Sequence, residues 1–156
     1  MRFVKSQVRF LEELASWPEN IDQVQLFAGP GLSWPLSVEN LRESESSGQA
    51  FMLVDQEFLL GYCQLKSRGH GNVRLCRVIV NPRFRGKGLG QQLVCFAMQF
   101  ANTYLLAGRM ELSVYQHNTA AILCYQKLGF MIYQHRKVQS PQGQLWKVLD
   151  MQKILG

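Results

Sequence analysis

The chain has 156 residues, 47% of them hydrophobic and 18% charged, a mix that can bury a core and argues against intrinsic disorder. Seventeen basic against eleven acidic residues give a net charge of +6, and four cysteines without CxxC pairing or His–Cys clustering argue against a structural zinc and a disulfide framework. No apolar run approaches the roughly 20 residues of a membrane span, and charge enters MRFVKSQVRFLEEL too early for a signal peptide, so a cytoplasmic protein with no membrane partner is expected.

The periodicities alternate along the chain, which predicts a mixed α/β domain over residues 1–156. Residues 2–6 suit a short strand. Residues 7–16 put Val8, Leu11, Leu14 and Ala15 on one helical face, and Pro18 closes that helix. Residues 27–36, FAGPGLSWPL, predict an apolar loop. Ser37 caps a short helix to about Arg42, with Glu39 in its first turn. Strands at 50–55 and 57–67 form a hairpin about Asp55-Gln56, and 67–72 is a second turn. A strand over 73–82 is rich in Val and Ile and stops at Pro82. Residues 91–104 are helical, 109–116 a strand, and 119–128 a helix that Gly129 ends. Two last strands pair across the turn SPQGQ, completing the order β-α-α-β-β-β-α-β-α-β-β.

Charge is uneven along this order. Residues 1–57 hold nine acids against four bases, whereas 58–110 hold eight bases and no acid. A stretch without carboxylates suits an anionic ligand, either nucleic acid or a phosphorylated cofactor. Nucleic acid is disfavoured, because no aromatic–basic platform or DNA-binding motif accompanies the bases.

The strongest local signal joins the strand Val78-Ile79-Val80 to the next helix through Asn81-Pro82-Arg83-Phe84-Arg85-Gly86-Lys87-Gly88-Leu89-Gly90-Gln91. Alternate glycines let backbone N–H groups converge on an anion. The helix behind them adds free N–H groups and a positive dipole end. Arg85 and Lys87 add full charges, so a diphosphate site is expected. The spacing is neither the dinucleotide G-x-G-x-x-G nor a P-loop.

These residues resemble the GNAT superfamily of N-acetyltransferases, including its bacterial protein and small-amine enzymes. Arg85-Gly86-Lys87-Gly88-Leu89-Gly90 matches the family's Q/R-x-x-G-x-G/A signature, and Asn118, Ala121, Tyr125, Gly129 and Phe130 match its second block. The resemblance implies a GNAT-like α/β (α+β) domain, with a mixed central sheet of about seven strands and helices on both faces. It implies acetyl-CoA as cosubstrate, no metal, and direct attack by a primary amine, either a small molecule or a peptide N-terminus. Val78, Ile79 and Val80 would pair with the pantetheine arm in a V-shaped opening beside strand 109–116, and a free N–H near Val80 would polarise the thioester carbonyl. The amides from Arg85 to Gln91 would hold the pyrophosphate, Asn118 would touch the CoA arm, and Tyr125 would be the general acid. On its own pattern, Tyr125 fits an ordinary core position and Asn118 an N-cap.

The sequence departs from that family at the base. Relatives that acetylate protein N-termini carry a glutamate five residues before the block asparagine, where this chain has Ser113. Glu111 is the nearest acid, on the same strand face, and is a weak base candidate against an ion-paired strand position. Phe27 and Trp34, with Trp146, are candidates to frame a pocket for an apolar or cationic amine. The alternative function is an acetyl-CoA-binding sensor with little or no catalysis. Oligomeric state is not legible in the sequence.

Overall fold

The computed structural model describes residues 1–140 and 142–156; Pro141, inside the predicted SPQGQ turn, lies outside the described residues. Seven strands form one sheet in the order β1-β2-β3-β4-β5-β7-β6. They are β1 (Arg2–Lys5), β2 (Gln49–Asp55), β3 (Phe58–Gly69), β4 (Asn72–Val80), β5 (Arg109–Tyr115), β6 (Met131–Gln139) and β7 (Leu145–Ile154). The helices are α1 (Leu11–Ala15), α2 (Ile21–Ala28), α3 (Val38–Glu45), α4 (Leu89–Tyr104) and α5 (Thr119–Lys127). All neighbouring strands are antiparallel except β4 and β5. Among the described residues, no helix is long and apolar enough to cross a membrane.

Strand alternation divides the core into two layers. Phe51, Leu53, Cys63 and Leu65 face α4 and α5, where Leu93, Val94, Ala97 and Ala101 form the buried stripe of α4. Met52, Val54 and Tyr62 face the other way, towards Leu11, Leu14, Val24 and Leu41 of α1–α3. Each such buried leucine contributes about 1.5–3 kcal/mol from apolar burial. The expected helices on both faces are therefore present. The first three helices reach only part of their face, and the polar side chains of β5 and β7 occupy the rest.

Helix α2 corrects the predicted element order, which had two helices before β2. The Asn20 side chain accepts from the Gln23 N–H at 2.9 Å, and the Gln23 side chain accepts from the Glu19 N–H at 2.8 Å, closing the first turn. Phe27 thus sits in the last turn of a helix rather than in a loop. The helix that begins the molecule is shorter than its apolar spacing suggests, because residues 8–10 form a 3₁₀ turn ahead of α1.

One irregularity in β4 shapes the site. Tyr62 pairs with Ile79, but Gln64 pairs with Cys76, so β4 carries one extra residue there. Arg77 takes it up with φ of 53°, a left-handed conformation rare outside glycine. Such a bulge bends its strand and sharpens its twist. Pairing of β4 with β5 runs only from Asn72↔Arg109 to Arg74↔Glu111, after which the strands separate.

Candidate active site

The separation opens a cleft of about 560 Å³ between β4 and β5. Its walls are Leu75–Val80 of β4, Leu112–Val114 of β5, one face of α5, and Gln23, Leu26 and Phe27 of α2. The glycine loop closes one end.

At that end Gly88 is the N-cap of α4, with φ of 77°, and Gly86 has φ of 78°. A Cβ on either would meet nothing within 4 Å, so the glycines serve backbone conformation and leave the space above the loop open. The first turn of α4 holds no acid. Its unpaired N–H groups and dipole therefore face open space beside Arg85, the arrangement that suits a diphosphate. The donor set fits the CoA pyrophosphate on these grounds. Lys87 does not line the cleft; its ammonium lies 5.6 Å from the Phe84 ring centre.

Most of the other expected residues converge on the cleft. Val78, Ile79, Val80, Arg85, Gly86, Gly88, Leu89, Gly90, Gln91, Asn118, Tyr125 and Phe27 all line it. Asn118 also caps α5, accepting from the Ala121 N–H at 3.4 Å. Tyr125 is buried, and its ring meets Phe130 edge-on at 5.9 Å. Its hydroxyl has no hydrogen-bond partner among the described residues. Burial pushes its pKa up, with Cys124 and Cys63 adding to the rise, so it keeps its proton. Cys76 and Cys124 also line the cleft, and burial pushes both thiols up, away from the thiolate that a nucleophile needs.

Three expectations change. Glu111 does not line the cleft; Arg109 lies at 3.2 Å, Arg68 at 3.4 Å and Arg74 at 3.7 Å from its carboxylate. It is an ion-paired strand residue, turned towards three guanidinium groups and away from the cleft. Trp34 is 42% exposed and lines no part of the cleft. Trp146 packs against Tyr115 and His117 at 4.8 and 4.6 Å instead.

Sequence reasoning missed the surroundings of Ser113. Its hydroxyl donates to Asp150 at 2.6 Å and accepts from Arg74 at 2.5 Å and Arg136 at 3.2 Å. Asp150 stands opposite Ser113 across β5 and β7. Burial pushes the Asp150 carboxyl up, but the hydrogen bonds from Arg136 and Ser113 outweigh it and hold the group below the usual carboxylate range. The signal available in the sequence was the period-2 alignment of two strands across the sheet, which needs the tertiary pairing to become visible.

A second cavity of about 390 Å³ meets the first at Phe27, Arg77 and Ser113. Lys66, Arg68, Arg74, Arg77 and Arg136 line it. Among the described residues, neither cavity is lined by a carboxylate or a histidine.

A family model described as "Acetyltransferase (GNAT) family" matches residues 11–130. The chain belongs to the GNAT acetyltransferase family. It is 34% identical over 61 residues to the spermine/spermidine N(1)-acetyltransferase of Bacillus subtilis, a stretch covering 39% of this chain and 40% of that relative. It is 36% identical over 56 residues to the spermidine N(1)-acetyltransferase of Escherichia coli K12, covering 36% of this chain and 30% of that one. The matches thus span less than half of either relative. Two solved structures share the fold with a TM-score of 0.81 and 19% identity each. They are the ribosomal-protein-alanine N-acetyltransferase from Brucella melitensis, over 99% of this chain and 100% of that one, and the Vibrio cholerae spermidine N-acetyltransferase in complex with CoA and spermine, over 99% and 95%. For a GNAT chain, the β4/β5 opening, the glycine loop and the cleft-lining tyrosine form one connected arrangement.

Proposed function

We propose that the protein transfers an acetyl group from acetyl-CoA to a primary amine by direct attack. The observation that carries this reading is the β4/β5 opening, which runs from the glycine loop to the Tyr125 hydroxyl and on into a second cavity. Relatives named for acetylating spermine and spermidine support an amine as the acceptor. The neighbour in complex with CoA and spermine supports CoA as the carrier.

Acetyl-CoA supplies an acyl group activated as a thioester. The chain's own residues do the rest. Amides from Arg85 to Gln91, with the Arg85 guanidinium, hold the pyrophosphate. The edge of β4 at Val78, Ile79 and Val80 is free of β5 and offers backbone groups to the pantetheine arm. A backbone N–H near Val80 polarises the thioester carbonyl. Asn118 borders the arm while it caps α5. Tyr125 delivers its proton to the departing sulfur. Among the described residues, no carboxylate or histidine lines the cavities to take the amine proton, so the acceptor reacts in its neutral form after losing that proton to water.

The lack of a lining base also favours a second reading, a CoA sensor without chemistry. Both readings require the glycine loop to bind the cofactor. Acetyl-CoA should raise the melting temperature of the protein. Gly88→Asp should fold, because its Cβ has open space and aspartate tolerates a left-handed φ, at about 1 kcal/mol of strain. It should lose the acetyl-CoA shift, because its carboxylate sits where the diphosphate binds. A folded Gly88→Asp protein that responds in full would contradict the assignment.

A further inference from the structure

The second cavity has a charge that the acetyl-transfer reading does not explain. Five cations line it, Lys66 and Arg68 from β3, Arg74 and Arg77 from the neighbouring β4, and Arg136 from β6. Part of that charge is compensated behind the wall. Glu111 pairs with Arg68 and Arg74, and Asp150 pairs with Arg136. Among the described residues, Lys66 and Arg77 have no carboxylate partner.

Arg77 is held with particular care. It occupies the bulge of β4 in a left-handed conformation, and its Nη1 donates to the Gln64 side-chain oxygen at 3.0 Å. Gln64 is buried, and its amide nitrogen donates to the Tyr62 hydroxyl at 2.8 Å and to Ser44 at 2.9 Å. Tyr62 in turn donates to Glu45 of α3 at 2.8 Å. This chain of bonds anchors a guanidinium at the junction of the two cavities, and its Nε is buried without a partner. On the far side, Arg74 and Arg136 converge on the Ser113 hydroxyl. Positive groups therefore flank the passage between the cavities from both β4 and β6. A polycationic acceptor meets repulsion here, and an anionic group meets ready donors.

We propose that the acetyl acceptor is a small amine bearing a carboxylate or phosphate group. Its anion binds Lys66, Arg68 and Arg77 in the second cavity, and its amino group points through the junction at Ser113 into the cleft. This rests on the acetyl-transfer reading above and names its substrate class. The volume of about 390 Å³ suits a small-molecule acceptor. The cationic wall serves the chemistry as well. It disfavours the ammonium form of the bound amine, and so supplies neutral nucleophile without a protein base. The transfer balances with no further reactant. The amine nitrogen forms a bond to the acetyl carbon, the carbon–sulfur bond breaks, the amine releases one proton, and the thiolate takes one up.

The test uses four primary amines of matched length as acceptors in a thiol-release assay: 4-aminobutyrate, 3-aminopropyl phosphate, n-butylamine and 1,4-diaminobutane. The better anionic acceptor should exceed butylamine at least tenfold in kcat/KM and diaminobutane at least a hundredfold. Which of the two anions leads distinguishes carboxylate from phosphate. In the Lys66→Gln/Arg68→Gln protein the ratio of anionic to neutral acceptor should fall towards one. That variant keeps Glu111 paired with Arg74 and Arg109, so its unliganded melting temperature should stay close to the parent's. Equal or better use of butylamine or diaminobutane overturns the proposal and leaves acetyl transfer intact. If no amine of any charge releases thiol, the acetyl-transfer reading fails instead. The cavity is then judged by melting temperature in saturating CoA. 3-Aminopropyl phosphate should raise it in the parent and not in the double variant, and the absence of that shift overturns the anion site.

Discussion

Replacing Tyr125 with phenylalanine separates chemistry from packing unusually well in this molecule. The ring keeps its edge-on contact with Phe130 at 5.9 Å, and the lost hydroxyl has no hydrogen-bond partner among the described residues. Its removal therefore strands no buried group, and stability should change by less than about 1 kcal/mol. For a chain of this length that is a shift of at most about 4 °C in melting temperature. The effect on rate should be far larger. General acid help to a leaving group is typically worth on the order of 10²–10⁴, or roughly 2.7–5.4 kcal/mol of barrier. Single-turnover thiol release from enzyme preloaded with acetyl-CoA measures this directly, with acetyl-CoA affinity followed in parallel. The account predicts a rate at least a hundredfold lower and affinity within about twofold. A Tyr125→Phe enzyme at full rate would show that the tyrosine is only core.

Other expectations follow from the charged groups. Glu111→Gln should lower kcat/KM by less than about tenfold, below the usual range for a positioned base, because the carboxylate is turned to arginines and not to the cleft. Correspondingly, kcat/KM should climb with pH towards the free substrate amine's own pKa, with no plateau set by a carboxylate or histidine; a plateau near pH 7 that Glu111→Gln removes would refute this. Asp150→Asn should cost about 2 kcal/mol at neutral pH, or about 4–8 °C in melting temperature, by weakening the bonds from Arg136 and Ser113. The folded-state pKa of Asp150 lies below its unfolded value, so its contribution is complete above about pH 4 and fades as pH falls through the folded value. Denaturation of parent and Asp150→Asn proteins between pH 7 and pH 3 should therefore converge at the acid end.

Much of the sheet and of the cofactor end of the site was legible in the sequence because local patterns agreed with tertiary needs. The run from Val78 to Gln91 has a buried-type strand, glycines for left-handed turns and a helix directly behind, and each of these is a local signal. Asn118 and Tyr125 entered the site through the resemblance to the family's second block, since their own pattern fits an N-cap and a core position. Helix α2 was not legible by periodicity, because a polar residue, Gln25, occupies one of its core positions at 1% exposure. The capping pair Asn20 and Gln23 was the available signal. The bulge at Arg77 was invisible, since arginine gives no sign of a left-handed φ. The run of bases from 58 to 110 was legible as a preference for anions, but not as two places. Folding sends Arg85 to the glycine loop and Lys66, Arg68, Arg74 and Arg77 to the second cavity. Arg136 and Asp150 join them only when the last hairpin pairs with β5. An apolar or cationic amine framed by aromatic rings was the expectation for the acceptor end; of those rings Phe27 lines the cleft, and Trp34 and Trp146 do not.

The most direct test of acetyl transfer by direct attack is a single turnover of acetyl-CoA, with and without an amine, followed by mass analysis of both protein and amine. The account predicts that CoA thiol appears only when the amine is present, that one acetyl group is found on the amine for each thiol released, and that the protein mass does not change. Thiol release without an amine, or an acetyl group retained on Cys76, Cys124 or any other residue, would contradict it.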